Sequence, residues 1–167
     1  FEREVFGFGE CLLDIVIENG QILHSCPGGS VLNSLVSLAR CAIPTQLITD
    51  YGKDAPGRII DQFLLSENIG NQFVSVFELG QTALAFAELD HQKNASFTFY
   101  KDYPEKRFPI EMPEMNRNSF LLFGSTSALR EDLQKSINQL ITSAKKNRAI
   151  IYFDPNIRSK TIKNRDS

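Results

Sequence analysis

The chain has 167 residues, 42% of them apolar and 23% charged, with 18 Lys and Arg against 20 Asp and Glu for a net charge of −2. At roughly 150 residues per domain this is one folded domain, or the larger part of one, and not a disordered or fibrous chain. A near-neutral balance gives no basic field to hold a phosphate backbone, which argues against a nucleic-acid partner.

The N-terminus, Phe1 to Gly9, lacks the basic-then-apolar pattern of a secretion signal. With no initiator Met, residue 1 is not expected to be the biological start. No apolar run approaches the roughly 18 residues of a membrane span. Cys11, Cys26 and Cys41 show no C-x-x-C spacing, so neither a disulfide framework nor a zinc site is expected and a reducing cytoplasm fits.

Short β-rich runs alternate with helical stretches. Residues 5–9 read as a first strand. Residues 12–18 and 21–25 alternate apolar and polar side chains, and Asn19-Gly20 between them supplies a tight hairpin turn. After a Pro-Gly-Gly turn, Val31, Leu32, Leu35, Leu38 and Ala39 fall on one face of a helix over 30–42. A strand over 46–51 and a helix over 55–67 follow; Pro56 suits the helix's first turn, and Asn68 and Gly70 mark its exit. Residues 73–78, 82–89 and 96–100 read as three strands with no helix between them, which predicts an antiparallel insert. After a connector over 104–113, alternation resumes with a strand over 119–123, a helix over 129–146 and a strand over 149–153. That last run, Ala-Ile-Ile-Tyr-Phe, is apolar enough to predict a strand covered on both faces of a parallel sheet. The fold class expected is α/β: a mostly parallel layered sheet interrupted by a small β element.

Several polar positions could carry chemistry. Gly28-Gly29-Ser30 precedes a helix, where glycines allow close backbone approach and the helix start offers unpaired N–H groups; Asn33 stands one turn further on. The plain alternative is a tight turn with a Ser cap. Asp54, in Gly52-Lys53-Asp54-Ala55-Pro56-Gly57, reads as a helix cap before it reads as a catalyst. Asp14 on the second strand could accept two hydrogen bonds from a diol, or be an ordinary exposed strand residue. Asp154-Pro155-Asn156-Ile157-Arg158 follows the last strand, at the strand end where open α/β sheets bind ligands. Arg158 there would suit a phosphate or carboxylate; otherwise the segment is a turn with a solvated arginine. Gly7-Phe8-Gly9 mimics a dinucleotide fingerprint, but Leu12 stands where the third glycine belongs and a strand follows instead of a helix. His24 and His91 are isolated from ligand-spaced partners, and Phe97, Phe99 and Tyr100 are most simply sheet-packing residues.

Taken in order, Gly9-Glu10 with Asp14, Gly28-Gly29-Ser30 with Asn33, Gly52/Asp54/Gly57, Thr82-Ala83, Phe97–Tyr100 and Asp154-Pro155-Asn156-Ile157-Arg158 resemble the PfkB (ribokinase-like) carbohydrate kinase family. The similarity is nearest to the fructokinase and 2-keto-3-deoxygluconate kinase branch, and it covers nearly the whole chain. It implies a three-layer α/β/α sandwich with a small β-sheet lid, the lid strands near 12–25 and 73–100, and the chain forming the N-terminal part of one kinase domain. It implies phosphorylation of a sugar hydroxyl with ATP and Mg²⁺. By that resemblance Asp14, Gly28, Gly29 and Asn33 hold sugar hydroxyls. Phe99, Tyr100 and Lys101 close over the sugar, with Arg158 at its far end, and Asn156 and Arg158 lie near the transferred phosphate. Homodimerisation through the lid is implied as well.

Two departures shape the expectation. Relatives often carry Phe-Tyr-Arg in the lid where this chain has Lys101, a point charge without a bidentate fork, which favours a neutral sugar such as fructose over a sugar acid. The family's G-x-G-D turn with its general-base Asp, its N-x-x-E metal motif and its adenine pocket are expected beyond Ser167. The 167 residues alone are therefore expected to be inactive, and to self-associate through an uncovered apolar face. The alternatives are a non-catalytic sugar-binding or regulatory relative, a 2-keto-3-deoxygluconate kinase or a nucleoside kinase; an oxidoreductase is more distant. The sugar reading requires positions 14, 33 and 158 to converge on one crevice.

Overall fold

The computed structural model describes residues 3–105 and 112–156. Five strands form a parallel sheet: β1 (Glu4–Phe8), β4 (Thr45–Gly52), β5 (Val74–Phe77), β8 (Ser119–Gly124) and β9 (Ile150–Asp154), in the order β5-β4-β1-β8-β9. Side chains alternate across it. Val5, Leu47 and Leu122 point into one layer, where they meet Leu32 and Leu35 of α1 (Ser30–Arg40) and Ile60 and Leu64 of α2 (Ala55–Ser66). Phe6, Phe8, Ile48 and Leu121 point the other way, against Ile137, Leu140 and Ala144 of α3 (Gln134–Lys146). The result is the expected three-layer sandwich, with each fully buried aliphatic side chain contributing about 1.5–3 kcal/mol of transfer free energy.

A second sheet of four strands stands apart: β2 (Leu12–Glu18), β3 (Gln21–Gly28), β6 (Gln81–Leu89) and β7 (Ala95–Asp102), ordered β3-β2-β6-β7. The β2–β3 hairpin turns on Asn19 (φ 50°) and Gly20 (φ 73°), as the Asn-Gly pair predicts. The sheet is mixed, because β2 and β6 run parallel while the outer pairs are antiparallel.

Four expectations are corrected. The strand over 73–78 does not belong to the small sheet: Val74–Phe77 pairs in parallel with β4 and extends the main one. Its neighbours in sequence misled, since no helix separates it from β6. The Pro-Gly-Gly turn is also shorter than read. β3 runs on through Pro27 and Gly28, and it is an outer strand, where a proline's missing N–H is tolerated. The helix over 129–146 begins only at Gln134. Ser125 (φ 58°) and two 3₁₀ turns, Ser125–Leu129 and Glu131–Leu133, come first, and the apolar helical period starts at the buried Leu133, not at the exposed Leu129. Finally, β9 is not covered on both faces: it is the outer strand of the sheet, and Tyr152 is 63% and Phe153 49% exposed among the described residues. No described helix is long and apolar enough to cross a membrane.

Candidate functional site

The chain leaves the main sheet for the small one at the carboxyl ends of β1 and β5, so the small sheet stands beside the strand ends where open α/β sheets bind ligands. The return from β3 to α1 is made by a single residue. Gly29 (φ 135°, ψ 136°) is the N-cap of α1 and makes no side-chain cap, so the alternative of a Ser cap is set aside. Its Cα lies against the Glu10 carbonyl, and Gly28 lies against the Asp14 carboxylate; a Cβ at either place would collide. Asp14 and Gly28 are therefore in direct apposition, with Gly29 set against the Glu10 carbonyl beside them. Asn33 sits one turn along α1, exposed, its N–H bonded to the Gly29 carbonyl at 2.9 Å.

Pairing registers sort the lid residues by face. Cys26, Asp14, Ala85 and Phe99 are opposite one another across the four strands and so share one face. Lys101, two residues beyond Phe99, shares it too, with its Nζ 5.3 Å from the Phe99 ring centre. Tyr100 is on the reverse face, edge-on to Phe86 at 5.3 Å. Phe99 and Lys101 thus join Asp14's side of the sheet and Tyr100 does not. The alternating aromatics do pack within the sheet, Phe97 stacking on Phe99 at 6.1 Å.

Two polar networks fasten the small sheet to the main body. The first centres on Asp54, which caps α2 by accepting from Gly57 N at 2.8 Å. The same carboxylate accepts from Thr82 N at 2.8 Å and from Thr82 Oγ1 at 2.6 Å, while Gly52 N donates to Thr82 Oγ1 at 2.9 Å. Burial disfavours the Asp54 charge, but the Thr82 and Gly57 hydrogen bonds more than offset it and hold the carboxyl below its ordinary range. The cap expected at Asp54 is thus also the foot of β6.

The second network escaped the sequence reading. Lys101 Nζ lies 2.7 Å from both carboxylate oxygens of Glu10, and Tyr103 Oη donates to Glu10 Oε1. Glu10 N donates to Ser127 Oγ at 2.8 Å, from the turn after β8. Arg130 stacks over the Tyr103 ring at 4.8 Å while making paired hydrogen bonds to Asp132 at 2.9 and 2.7 Å. Glu10 and Lys101 are 91 residues apart, so no local pattern announces the pair.

At the end of β9, Asn156 (φ 42°) donates its backbone N–H to Asp154 Oδ1 at 3.1 Å. Arg158, the third member of the convergence expected with Asp14 and Asn33, lies outside the described residues. A cavity of about 620 Å³, lined by Glu4, Phe6, Gln46, Gln72, Phe73, Met112 and Glu114, lies at the opposite, amino ends of β1 and β4. Among the described residues no group of three or more His, Cys, Asp or Glu is placed to hold a metal ion. Cys11, beside Glu10, is buried, and burial pushes its thiol far up, away from nucleophilic chemistry.

Known proteins share this fold. The chain is 28% identical over 158 residues to a fructokinase of Vibrio alginolyticus, covering 93% of this chain and 52% of that protein. It is 26% identical to a fructokinase of Escherichia coli, covering 93% and 51%. Among solved structures, the apo fructokinase of Vibrio cholerae O395 superposes with a TM-score of 0.79 at 23% identity, over 97% of this chain and 56% of that one. Aminoimidazole riboside kinase of Salmonella enterica, solved with aminoimidazole riboside and an ATP analogue, superposes with a TM-score of 0.82 at 22% identity, over 98% and 53%. The chain thus spans about half the length of the relatives it matches. The family model for pfkB family carbohydrate kinases matches residues 8–166, and the chain belongs to that family.

Proposed function

We propose that this chain is the sugar-binding part of an ATP-dependent, fructokinase-like sugar kinase, the N-terminal portion of a single kinase domain whose nucleotide-binding portion lies beyond these residues. The observation that carries the reading is the Asp14 carboxylate laid against Gly28, beside the return from β3 to α1. A carboxylate accepts paired hydrogen bonds from adjacent hydroxyls, and bare glycine backbone lets a polyol approach closely. Relatives named fructokinase support the sugar class, and a Vibrio cholerae fructokinase of the same fold was solved with fructose, ADP and potassium.

In this reading Asp14, Gly28, Gly29 and Asn33 hold hydroxyls, Phe99 lies over the sugar, and Arg158 faces its far end. Asn156 and Arg158 stand by the transferred phosphate. Tyr100 supports the lid from behind. Phosphoryl transfer depends on positioning and on spreading charge, and a lid excludes water as a competing acceptor. ATP with Mg²⁺ supplies the phosphoryl group in the proposed activity. Every role assigned to these residues concerns the sugar or the transferred phosphate. The free cysteines fit the cytoplasm. The reading includes pairing of two copies through the lid, where Ile22 and Leu23 are 66% and 51% exposed; replacing both by serine is expected to turn a dimer into a monomer in sedimentation, and a monomeric parent chain overturns the pairing.

The functional test is fructose binding to the chain by calorimetry. Asp14→Ala is expected to weaken it about 10- to 100-fold, as for a lost charge-assisted hydrogen bond, and Asn33→Ala about 5- to 10-fold. Unchanged affinity in both variants overturns the assignment. A panel with 2-keto-3-deoxygluconate and a nucleoside separates the neighbouring substrate classes.

A further inference from the structure

The Glu10–Lys101–Tyr103 cluster joins three elements. Through its backbone, Glu10 is fixed to the main body twice: its N–H is held by Ser127, and its carbonyl abuts Gly29. Through its side chain it grips the carboxyl end of β7, taking Lys101 on both oxygens and the Tyr103 hydroxyl on one. β7 is otherwise exposed along its whole length and is the outermost strand of its sheet. The Glu10 oxygens take two of the three ammonium donors of Lys101, which commits the side chain chiefly to Glu10.

The pair is also partly sheltered, with 28% of the Lys101 side chain and 10% of the Glu10 side chain exposed. Such a pair is screened less than a surface one, and removing Lys101 leaves a largely sheltered Glu10 carboxylate with Tyr103 but without its ammonium partner. The Thr82–Asp54 network forms a second attachment at the start of β6. One edge of the small sheet is thus tied at Thr82, and the end of the strand beyond it is tied to Glu10 through Lys101 and Tyr103.

We infer that Glu10 and Lys101 are positioning residues that latch the small sheet over the Gly28–Gly29 turn, and that Lys101 acts through Glu10 and not by touching the substrate. The sugar part of this inference rests on the kinase reading above; the latch itself does not.

The experiment compares Glu10→Gln, Lys101→Met, Lys101→Arg and the charge swap E10K/K101E in the full chain. The readouts are amide hydrogen exchange and calorimetric fructose binding, with main-sheet amides as the control for folding. Glu10→Gln and Lys101→Met should each speed exchange at Phe99 to Asp102 about tenfold. The effect should fade toward Ala95 and spare Thr82 and the main sheet. Lys101→Arg should keep exchange slow and the swap should restore it. Both single variants should weaken fructose by the same factor, about fivefold. Loss of fructose with Lys101→Met but not with Glu10→Gln would make Lys101 a direct ligand and overturn the inference, as would unchanged exchange in both. If the parent chain binds no fructose, the sugar reading fails and the exchange pattern alone decides the latch.

Discussion

The two sheets are held in different ways. The main sheet is fixed by apolar burial on both faces: Leu32, Leu35, Leu47, Ile48, Ile60, Leu64 and Leu121 are completely buried. The small sheet buries less, Leu12 and Leu13 with Ala83, Ala85 and Ala87, and has an outer strand exposed at every position. Its alanines bury little area, so its placement depends on hydrogen bonds at its base. Apolar packing is non-directional and gives way as a unit, whereas a few directional contacts can be released one at a time. A rigid body and a separately releasable roof are what a lidded binding cleft requires.

The largest expected effect tests whether the packing difference is real. Leu35→Ala should cost about 2–5 kcal/mol, as for a fully buried leucine, in urea unfolding followed by circular dichroism. Phe99→Ala, at a side chain 51% exposed, should cost below about 1 kcal/mol despite removing more atoms. Equal costs would mean that the small sheet shares the main core and that the contrast is wrong.

A smaller effect sharpens it. Thr82→Val keeps the shape but removes the hydroxyl that bonds Asp54 and accepts from Gly52 N, leaving two polar groups at a nearly closed site. The expected loss is about 1–3 kcal/mol, read as faster hydrogen exchange in β6 with α1 unaffected. The pH dependence has a definite sign. In the folded chain Asp54 binds its proton less readily than an ordinary Asp, so its contribution to stability is full above the unfolded value of about 3.9. It is lost as the pH falls below that toward the folded value. In Thr82→Val this acid loss should shrink, since the hydrogen bonds that depress the carboxyl are partly gone.

The fold was legible where side-chain period and turn chemistry agree. Asn19-Gly20 sets its hairpin, Asp54 and Pro56 start α2, and Val31, Leu32 and Leu35 put one face of α1 on the sheet. It was illegible where partnership is decided at long range. Nothing in Val74–Phe77 says that β4 is its neighbour and not β6; that follows from which strand edge is open once the sheets have formed. The start of α3 was missed because Leu129 and Leu133 both suit a helical face, and only burial separates them. At the site, Gly28, Gly29 and Asp14 stood out because close approach demands particular residue types. Glu10 and Lys101 are ordinary surface residues until the register of β7 brings one to the other.

The smallest effect in the set bears directly on how the roof is held. Lys53 and Glu78 form an ion pair at 2.7 Å, the same separation as Lys101 and Glu10, also beside the start of the small sheet. Distance therefore cannot distinguish them, but surroundings do. The Lys53 and Glu78 side chains are 65% and 72% exposed, so water and salt screen the pair and two long side chains lose freedom in forming it. Lys53→Ala should change stability by about 0.5 kcal/mol or less and leave exchange in β6 and β7 untouched. Raising the salt from about 0.05 to 0.5 M should remove even that difference while only partly weakening the sheltered pair. If Lys53→Ala opened β7 as far as Lys101→Met does, charge anywhere along the base would suffice, and the seating of Lys101 between the two oxygens of Glu10 would lose its special place.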